Sequence, residues 1–153
     1  MSFPSPDITP ISAPYWDALK AGRLLFQRCR QCNHCWLPAR EACPQCLSAD
    51  PVWDEASGRG VVVSWVVYHV AYNEAFKSRI PYDVTLVRLE EGPQLLTNVV
   101  DSEAGRRLEI GAPVRLKIER EGELALARFS LDAAHADSNN RNNNSRIAGA
   151  TSV

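Results

Sequence analysis

Cys29-Arg30-Gln31-Cys32 and Cys43-Pro44-Gln45-Cys46 decide the reading of this chain. Each pair sets two thiolates on one tight turn, and two such turns at this separation read as the knuckles of a zinc ribbon closing a tetrahedral S4 site. Zinc suits that site because it has no d-electron geometric preference and accepts soft sulfur ligands. With Cys29, Cys32, Cys43 and Cys46 all bound, no position stays open for water or substrate, so the expected role is structural. Cys35 extends the first pair to a C-x2-C-x2-C run that begins like a ferredoxin motif. That motif needs its fourth Cys much closer than Cys43 lies, and it would leave Cys46 without a role. Rubredoxin-type iron shares the S4 geometry and is the rival metal. Cys35 is then a spare strand thiol, and His34 is not needed as a ligand.

Upstream, residues 1–13 are proline-rich and aperiodic, so an extended arm is expected there. A short helix over Pro14–Ala21 follows, with Ser12 as its N-cap and Gly22 as its stop. Tyr15, Trp16 and Leu19 fall at helical spacing and give that helix an apolar face. In the ribbon, Leu24–Arg28 reads as the strand entering the first knuckle and Trp36-Leu37-Pro38 as the return. So small a unit has no core of its own, and a metal must supply the cross-link. Between Lys20 and Arg40 the charged residues are Lys20, Arg23, Arg28, Arg30 and Arg40, with no acid among them. They read as a solvated face offsetting an anionic metal centre, and alternatively as a local phosphate-binding patch.

Downstream, Ser57-Gly58-Arg59-Gly60 is a turn before the β-branched and aromatic run Val61–Tyr72. Tyr82–Leu89 alternates, with Val84, Leu86 and Arg88 on one face and Thr85, Val87 and Leu89 on the other. Glu91-Gly92-Pro93 turns into Gln94–Val100, and the polar segment Asp101–Glu109 leads to Val114–Arg120. Glu121-Gly122-Glu123 then turns into Leu124–Leu131. Five strands, the first long enough to serve both sheets of a small barrel, match an OB-fold. The fold class is therefore mainly β: an N-terminal helix and a rubredoxin-like zinc ribbon, followed by a five-stranded OB-fold barrel. The divisions are residues 1–22 (arm and helix), 23–53 (ribbon), 54–132 (barrel) and 133–153, an Asn- and Ser-rich tail expected to be disordered.

Bulk properties narrow the class of partner. A formal net charge of −1 gives no general attraction to DNA or anionic lipid. No apolar run approaches the roughly 18–20 residues of a membrane helix. The first residues, MSFPSPDITP, lack the basic and apolar regions of a secretory signal. Cysteines without such a signal point to a reducing compartment, the cytoplasm, where metal binding is favoured over disulfides. No nucleophile elbow, phosphate loop or dinucleotide fingerprint is present, and no nucleophile can be matched to a base. An enzyme in its own right is not expected. The alternative reading is a single-stranded nucleic-acid-binding OB module, with Trp65, Tyr68 and Tyr72 as the aromatics.

The order helix, four-Cys ribbon and OB barrel resembles the zinc-ribbon/OB-fold acyl-CoA-associated family known as domain of unknown function thirty-five. The resemblance rests on Tyr15-Trp16, Leu19, Gly22 and Leu24, on Gln27-Arg28-Cys29-x-x-Cys32, on Leu37-Pro38-x-Arg40 and on Cys43-Pro44-x-Cys46. It continues through Ser57-Gly58-Arg59-Gly60-x-Val62, Pro81-Tyr82, Glu91-Gly92-Pro93 and Ile110-Gly111-x-Pro113-Val114, so it covers residues 14–131. Asn33 stands where a glycine usually follows the first knuckle, and Asn tolerates the left-handed conformation. The resemblance implies a non-catalytic partner of a thiolase-like, aldolase-type or hydratase enzyme that bridges subunits and helps hold acyl-CoA. Hydroxymethylglutaryl-CoA synthesis in archaea and steroid side-chain breakdown in bacteria are settings of this kind. Within that implication, Lys77 and Arg79 in the loop Asn73–Ile80 would contact phosphates, and Phe76 a ring or the pantetheine arm. The cleft between ribbon and barrel is the expected interaction surface.

Overall fold

The computed structural model describes residues 4–132. The tail expected to be disordered, 133–153, lies outside the described residues. Helix α1 (Ala13–Lys20) has proline in its first turn, where a missing N–H costs nothing. Ser12 occupies the cap position without making the side-chain cap bond. Its Oγ instead accepts from Thr9 N–H at 3.0 Å, an arm-to-helix turn that the alternation of the sequence does not reveal. The helix ends where Gly22, at φ +81°, lets its own N–H reach Leu19 O and Arg23 N–H reach Ala18 O. Tyr15, Trp16 and Leu19 do face inward. Leu19 is fully buried, and the two rings meet edge to face at 5.2 Å. Burial pushes the Tyr15 phenol up to about 12.

The ribbon is a three-stranded antiparallel sheet, ordered β2-β1-β3. Its strands are β1 (Leu25–Cys29), β2 (Cys35–Trp36) and β3 (Pro51–Glu55). The third strand is not foreseen by sequence, because five residues opening on proline carry no clear alternation; it forms by pairing Leu25 with Glu55 through Cys29 with Pro51. It crosses position 53, so the ribbon's sheet continues to Glu55. β3 also supplies the acids that the basic stretch lacks. Arg28 pairs with Asp54 at 2.6 Å and Arg23 with Glu55 at 3.6 Å, while Asp50, just before the strand, lies 4.0 Å from Arg30.

The second sheet has the order β6-β5-β4-β7-β8. Its strands are β4 (Arg59–Tyr68), β5 (Tyr82–Leu89), β6 (Gln94–Thr97), β7 (Pro113–Glu121) and β8 (Leu124–Leu131). β4 pairs with β5 along its length and with β7 only over Arg59–Val61, and an irregularity between Val62 and Ser64 bends it between the two partners. The barrel nearly closes where the chain after β6 meets β8: Val100 N–H donates to Phe129 O at 2.8 Å, and Phe129 N–H to Asn98 O at 3.1 Å. That parallel contact, with the antiparallel pairs around it, is the five-stranded OB arrangement.

Several boundaries differ from expectation: α1, β1 and β2 are each shifted by a residue or two, and β7 runs one residue further at each end, Pro113–Glu121. β4 already includes Arg59 and Gly60, because Gly60 lies so close to β5 that a Cβ would sit 2.8 Å from Arg88 O. The strand stops at Tyr68 and not Tyr72, since Tyr68 faces Tyr82, the first residue of β5. β6 stops at Thr97, where the chain changes partner from β5 to β8. One hydrophobic core runs from Leu19 and Leu24 to Val62, Val87, Val99, Val114 and Phe129, joining helix, ribbon base and barrel. Cys29, Trp36 and Cys43 form a separate cluster in the ribbon.

Candidate metal centre and adjoining surfaces

The two knuckles have the same backbone geometry. In the first, Cys29 O accepts from Asn33 N–H at 2.9 Å and Cys29 N–H donates to His34 O at 2.9 Å. In the second, Cys43 O accepts from Leu47 N–H and Cys43 N–H donates to Ser48 O, both at 2.9 Å. Gln31 N–H and Gln45 N–H point at Cys29 Sγ and Cys43 Sγ, at 3.3 and 3.4 Å. Each turn needs a left-handed residue at its fifth position, filled by Asn33 (φ +61°) and Leu47 (φ +63°). Asn33 does what its residue type allows; Leu47 gives no such signal in sequence.

These turns bring four Sγ atoms within 4.8 Å of one another. Cys29 lies 3.5 Å from Cys46, and Cys32 lies 3.6 Å from Cys43. A zinc–sulfur bond of about 2.3 Å implies sulfur–sulfur edges of about 3.8 Å in a tetrahedron, so the donor set fits a four-coordinate thiolate-bound metal. Cys29 and Cys43 are buried, and Cys32 and Cys46 face solvent. Burial raises the Cys29 thiol, yet the N–H groups of Cys32 and Gln31 and the neighbouring sulfurs together bring it down to about 6. The His34 N–H lowers Cys32, but burial and the thiols of Cys46, Cys43 and Cys29 push it up to about 12. Burial likewise opposes ionisation of Cys43, but the N–H groups of Cys46 and Gln45 and the neighbouring sulfurs lower it, so the knuckle N–H groups favour the thiolate form that binds a metal.

Cys35 is not in the cluster. Its thiol points to Asn33 O at 3.5 Å, and burial raises it. His34 stacks on Trp36 at 6.0 Å. Gln27, which opens the motif Gln27-Arg28-Cys29-x-x-Cys32, is buried and accepts from Arg40 N–H at 2.7 Å through Oε1, tying the first strand to the return segment.

The ribbon's matched residues and the barrel's together answer to a known domain pair. Residues 16–52 match "ChsH2, rubredoxin-like zinc ribbon domain", and residues 53–119 match "ChsH2, C-terminal OB-fold domain". A DUF35 domain-containing scaffold protein of Methanothermobacter thermautotrophicus is 34% identical over 104 residues, 65% of this chain and 77% of that one. The chain belongs to the DUF35/ChsH2 zinc-ribbon and OB-fold family. Among solved structures, one described as an Ltp2-ChsH2(DUF35) aldolase superposes with a TM-score of 0.73 at 39% identity, over 83% of this chain and 98% of that chain. A probable enoyl-CoA hydratase alpha subunit of Thermomonospora curvata is 42% identical over 129 residues, 82% of this chain. This chain spans 39% of that subunit's length.

In this DUF35 chain, Phe76, Lys77 and Arg79 lie on a short 3-10 helix (Glu74–Arg79). Asn73 caps it: its Oδ1 accepts from Ala75 N–H at 2.9 Å and its carbonyl from Phe76 N–H at 3.0 Å. Phe76 packs on Tyr82 at 5.8 Å, and Tyr82 stacks on Tyr68 at 5.4 Å. Lys77 is ion-paired with Glu74, and Arg79 with Glu121, both at 2.5 Å. Phe76 and Arg79 border a cavity of about 600 Å³, whose lining also includes Asn98, Ser102 and Arg128; Lys77 is not among its lining residues. A second, strongly apolar cleft of about 450 Å³ opens where Tyr15 and Trp16 of α1, Leu37 and Pro38 of the ribbon, and Leu95 and Leu96 of β6 converge. Among the described residues no helix is long and apolar enough to cross a membrane.

Proposed function

We propose that this chain is a zinc-stabilised, non-catalytic accessory module of a thiolase-like, aldolase-type or hydratase enzyme, working in the cytoplasm and helping to hold acyl-CoA. The observation that carries the reading is the closed set of Cys29, Cys32, Cys43 and Cys46 in a chain that covers 98% of the similar chain in the structure described as an Ltp2-ChsH2(DUF35) aldolase. Zinc bound by four thiolates has no open position, so it cross-links the ribbon and does no chemistry. The scaffold-protein and hydratase-subunit names of the relatives support the accessory role.

Phe76, Lys77 and Arg79 are the acyl-CoA contacts in this reading. Each cation has a carboxylate partner in the free chain, and a phosphate would replace that partner in a charge-assisted contact. Phe76 with Tyr82 offers a ring face to adenine or to the pantetheine arm. The test is purification of the tagged chain from its native host, with mass spectrometry of retained proteins and of CoA esters, and metal analysis of the product. A thiolase-, aldolase- or hydratase-type polypeptide, a CoA ester and one zinc per chain are expected. Recovery of nucleic acid in place of such an enzyme would overturn the reading.

A further inference from the structure

Glu121 stands between two arginines that grip the same oxygen. Arg79 Nη1, at the end of the 3-10 helix, donates to Glu121 Oε1 at 2.5 Å, and Arg128 Nη2 of β8 donates to that oxygen as well. Glu119 holds Arg128 from its other side, accepting from Nη1 at 2.9 Å, and itself lies 3.4 Å from Lys117. The Arg128 Nε–H is buried and, among the described residues, has no hydrogen-bond partner. A buried donor without an acceptor is unfavourable, so this arrangement leaves one bond of the cluster unmade.

Nε and Nη2 lie on one edge of the planar guanidinium, spaced to match the two oxygens of a carboxylate. Glu121 already bonds to Nη2. Without Arg79 on Oε1, a rotation of the carboxylate gives one oxygen to Nη2 and the other to Nε, and the orphan donor is satisfied. Glu121 thus has two arrangements with two charge-assisted bonds each: shared between the arginines, or paired edge to edge with Arg128. The first occupies Arg79; the second releases it. Exposure runs in the same sense. Glu121 and Arg128 keep 15% and 17% of their side chains exposed, and Arg79 keeps 34%, so the cation released is the one a solute reaches first. Arg79 and Arg128 both line the 600 Å³ cavity.

We infer that Arg128 is a positioning residue: it takes over Glu121 when a phosphate-bearing ligand arrives, so that the phosphate replaces the carboxylate on Arg79 and Glu121 is not left unpaired. The inference rests on the acyl-CoA reading above and adds to it how the phosphate contact is made available. A simple competition for Arg79 would strip Glu121 of a partner; the exchange keeps its number of charge-assisted bonds constant and gives Arg128 Nε–H its acceptor. Arg128 itself does not touch the phosphate.

Calorimetric titration of the full chain with acetyl-CoA, and separately with inorganic phosphate, is run on wild type, Arg128→Lys, Glu121→Gln and the double variant, with circular dichroism to verify folding. Lysine keeps the charge beside Glu121 but presents no edge to it, so Glu121 stays on Arg79. Arg128→Lys should therefore weaken acetyl-CoA about fivefold or more, and the loss should vanish in the Glu121→Gln background, where no carboxylate has to move. A purely structural role for Arg128 predicts the same loss in both backgrounds. The Arg128 Nε–H resonance of the wild-type protein gives a readout that needs no variant: it should move downfield and exchange more slowly with solvent once acetyl-CoA is bound. If acetyl-CoA binds wild type while that resonance stays in place, or while Arg128→Lys costs nothing or costs the same in both backgrounds, the acyl-CoA reading stands and the exchange is wrong. If acetyl-CoA does not bind and inorganic phosphate shows the full pattern, the exchange stands for a free anion and the acyl-CoA reading falls. Binding of neither overturns both.

Discussion

Asp83 Oδ1 accepts a hydrogen bond from Ser102 Oγ at 2.7 Å, and the two side chains are only 4% and 2% exposed. The other carboxylate oxygen accepts from Thr85 Oγ1 at 2.6 Å and from Val99 N–H at 3.1 Å. Ser102 Oγ in turn accepts from Gly105 N–H at 3.2 Å. One buried carboxylate thus fastens β5 to the segment that turns away from β6, close to where the barrel closes, and both Asp83 and Ser102 line the 600 Å³ cavity.

Asp83→Ala is expected to cost about 3 kcal/mol or more, because three buried donors lose their acceptor at once. Ser102→Ala removes one donor to a carboxylate that keeps the others, and about 1–2 kcal/mol is expected. Thermal and urea denaturation of both variants measure this. Equal effects, or a cost for Asp83→Ala near that of an ordinary surface change, would contradict the clasp.

Leu47 holds a left-handed conformation at φ +63° while 78% of its surface is exposed. For a side-chain-bearing residue that conformation costs about 1–2 kcal/mol, and little burial offsets it. Leu47→Gly should therefore be neutral to stabilising by up to about 1 kcal/mol, after the added entropy of glycine in the unfolded chain. Asn33→Val, at the equivalent turn, should destabilise, since a β-branched residue is strained there. Resistance of the ribbon to a chelator reads both changes, and a faster metal loss from Leu47→Gly would refute the argument.

Metal content separates the five cysteines. Cys29→Ser and Cys46→Ser are each expected to lose stoichiometric zinc and to unfold the ribbon, leaving Trp36 exposed and its fluorescence red-shifted. Cys35→Ser should keep the metal, because the Cys35 thiol is directed at Asn33 O and stands outside the four-sulfur group. Loss of metal from Cys35→Ser would mean a different ligand set. A visible absorption band in the purified protein would replace zinc by iron.

The sequence was most legible where local pattern and tertiary need coincide. Two C-x-x-C pairs close one site because a knuckle is a local turn, and β5 and β8 have their expected bounds because alternation there matches a half-buried sheet. β3 was not legible, since its identity comes from pairing with β1 and not from its own five residues. Nor was the Asp83 clasp: its partners stand 2 to 19 residues away, and a strand Asp reads as a solvated charge until the fold buries it. The cations proposed for phosphate contact looked free in sequence because their acidic partners Glu74 and Glu121 can be assigned only once the 3-10 helix and β7 are placed. Leu47 was illegible for a different reason, as the turn dictates its backbone and its residue type opposes it.

Glu121 lies between Arg79 and Arg128 and is hydrogen-bonded to both, with 15% of its side chain exposed. Burial alone would raise its carboxyl, but the Arg79 hydrogen bond and the charge of Arg128 outweigh this and hold it below the ordinary value of 4.5. A carboxyl with a lowered folded pKa stabilises the fold fully above its unfolded pKa and loses that contribution as pH falls through the folded value. Wild type should thus exceed Glu121→Gln in Tm at neutral pH, and the gap should narrow in the acid range below 4.5 as Glu121 protonates. Glu121→Gln also removes the carboxylate charge that competes for Arg79, so this variant should bind a CoA ester at least as tightly as wild type if Arg79 is a phosphate contact. Tm across the pH series and calorimetric titration with acetyl-CoA read the two effects separately. A Tm gap that persists undiminished in acid would assign the role of Glu121 to packing and not to its charge.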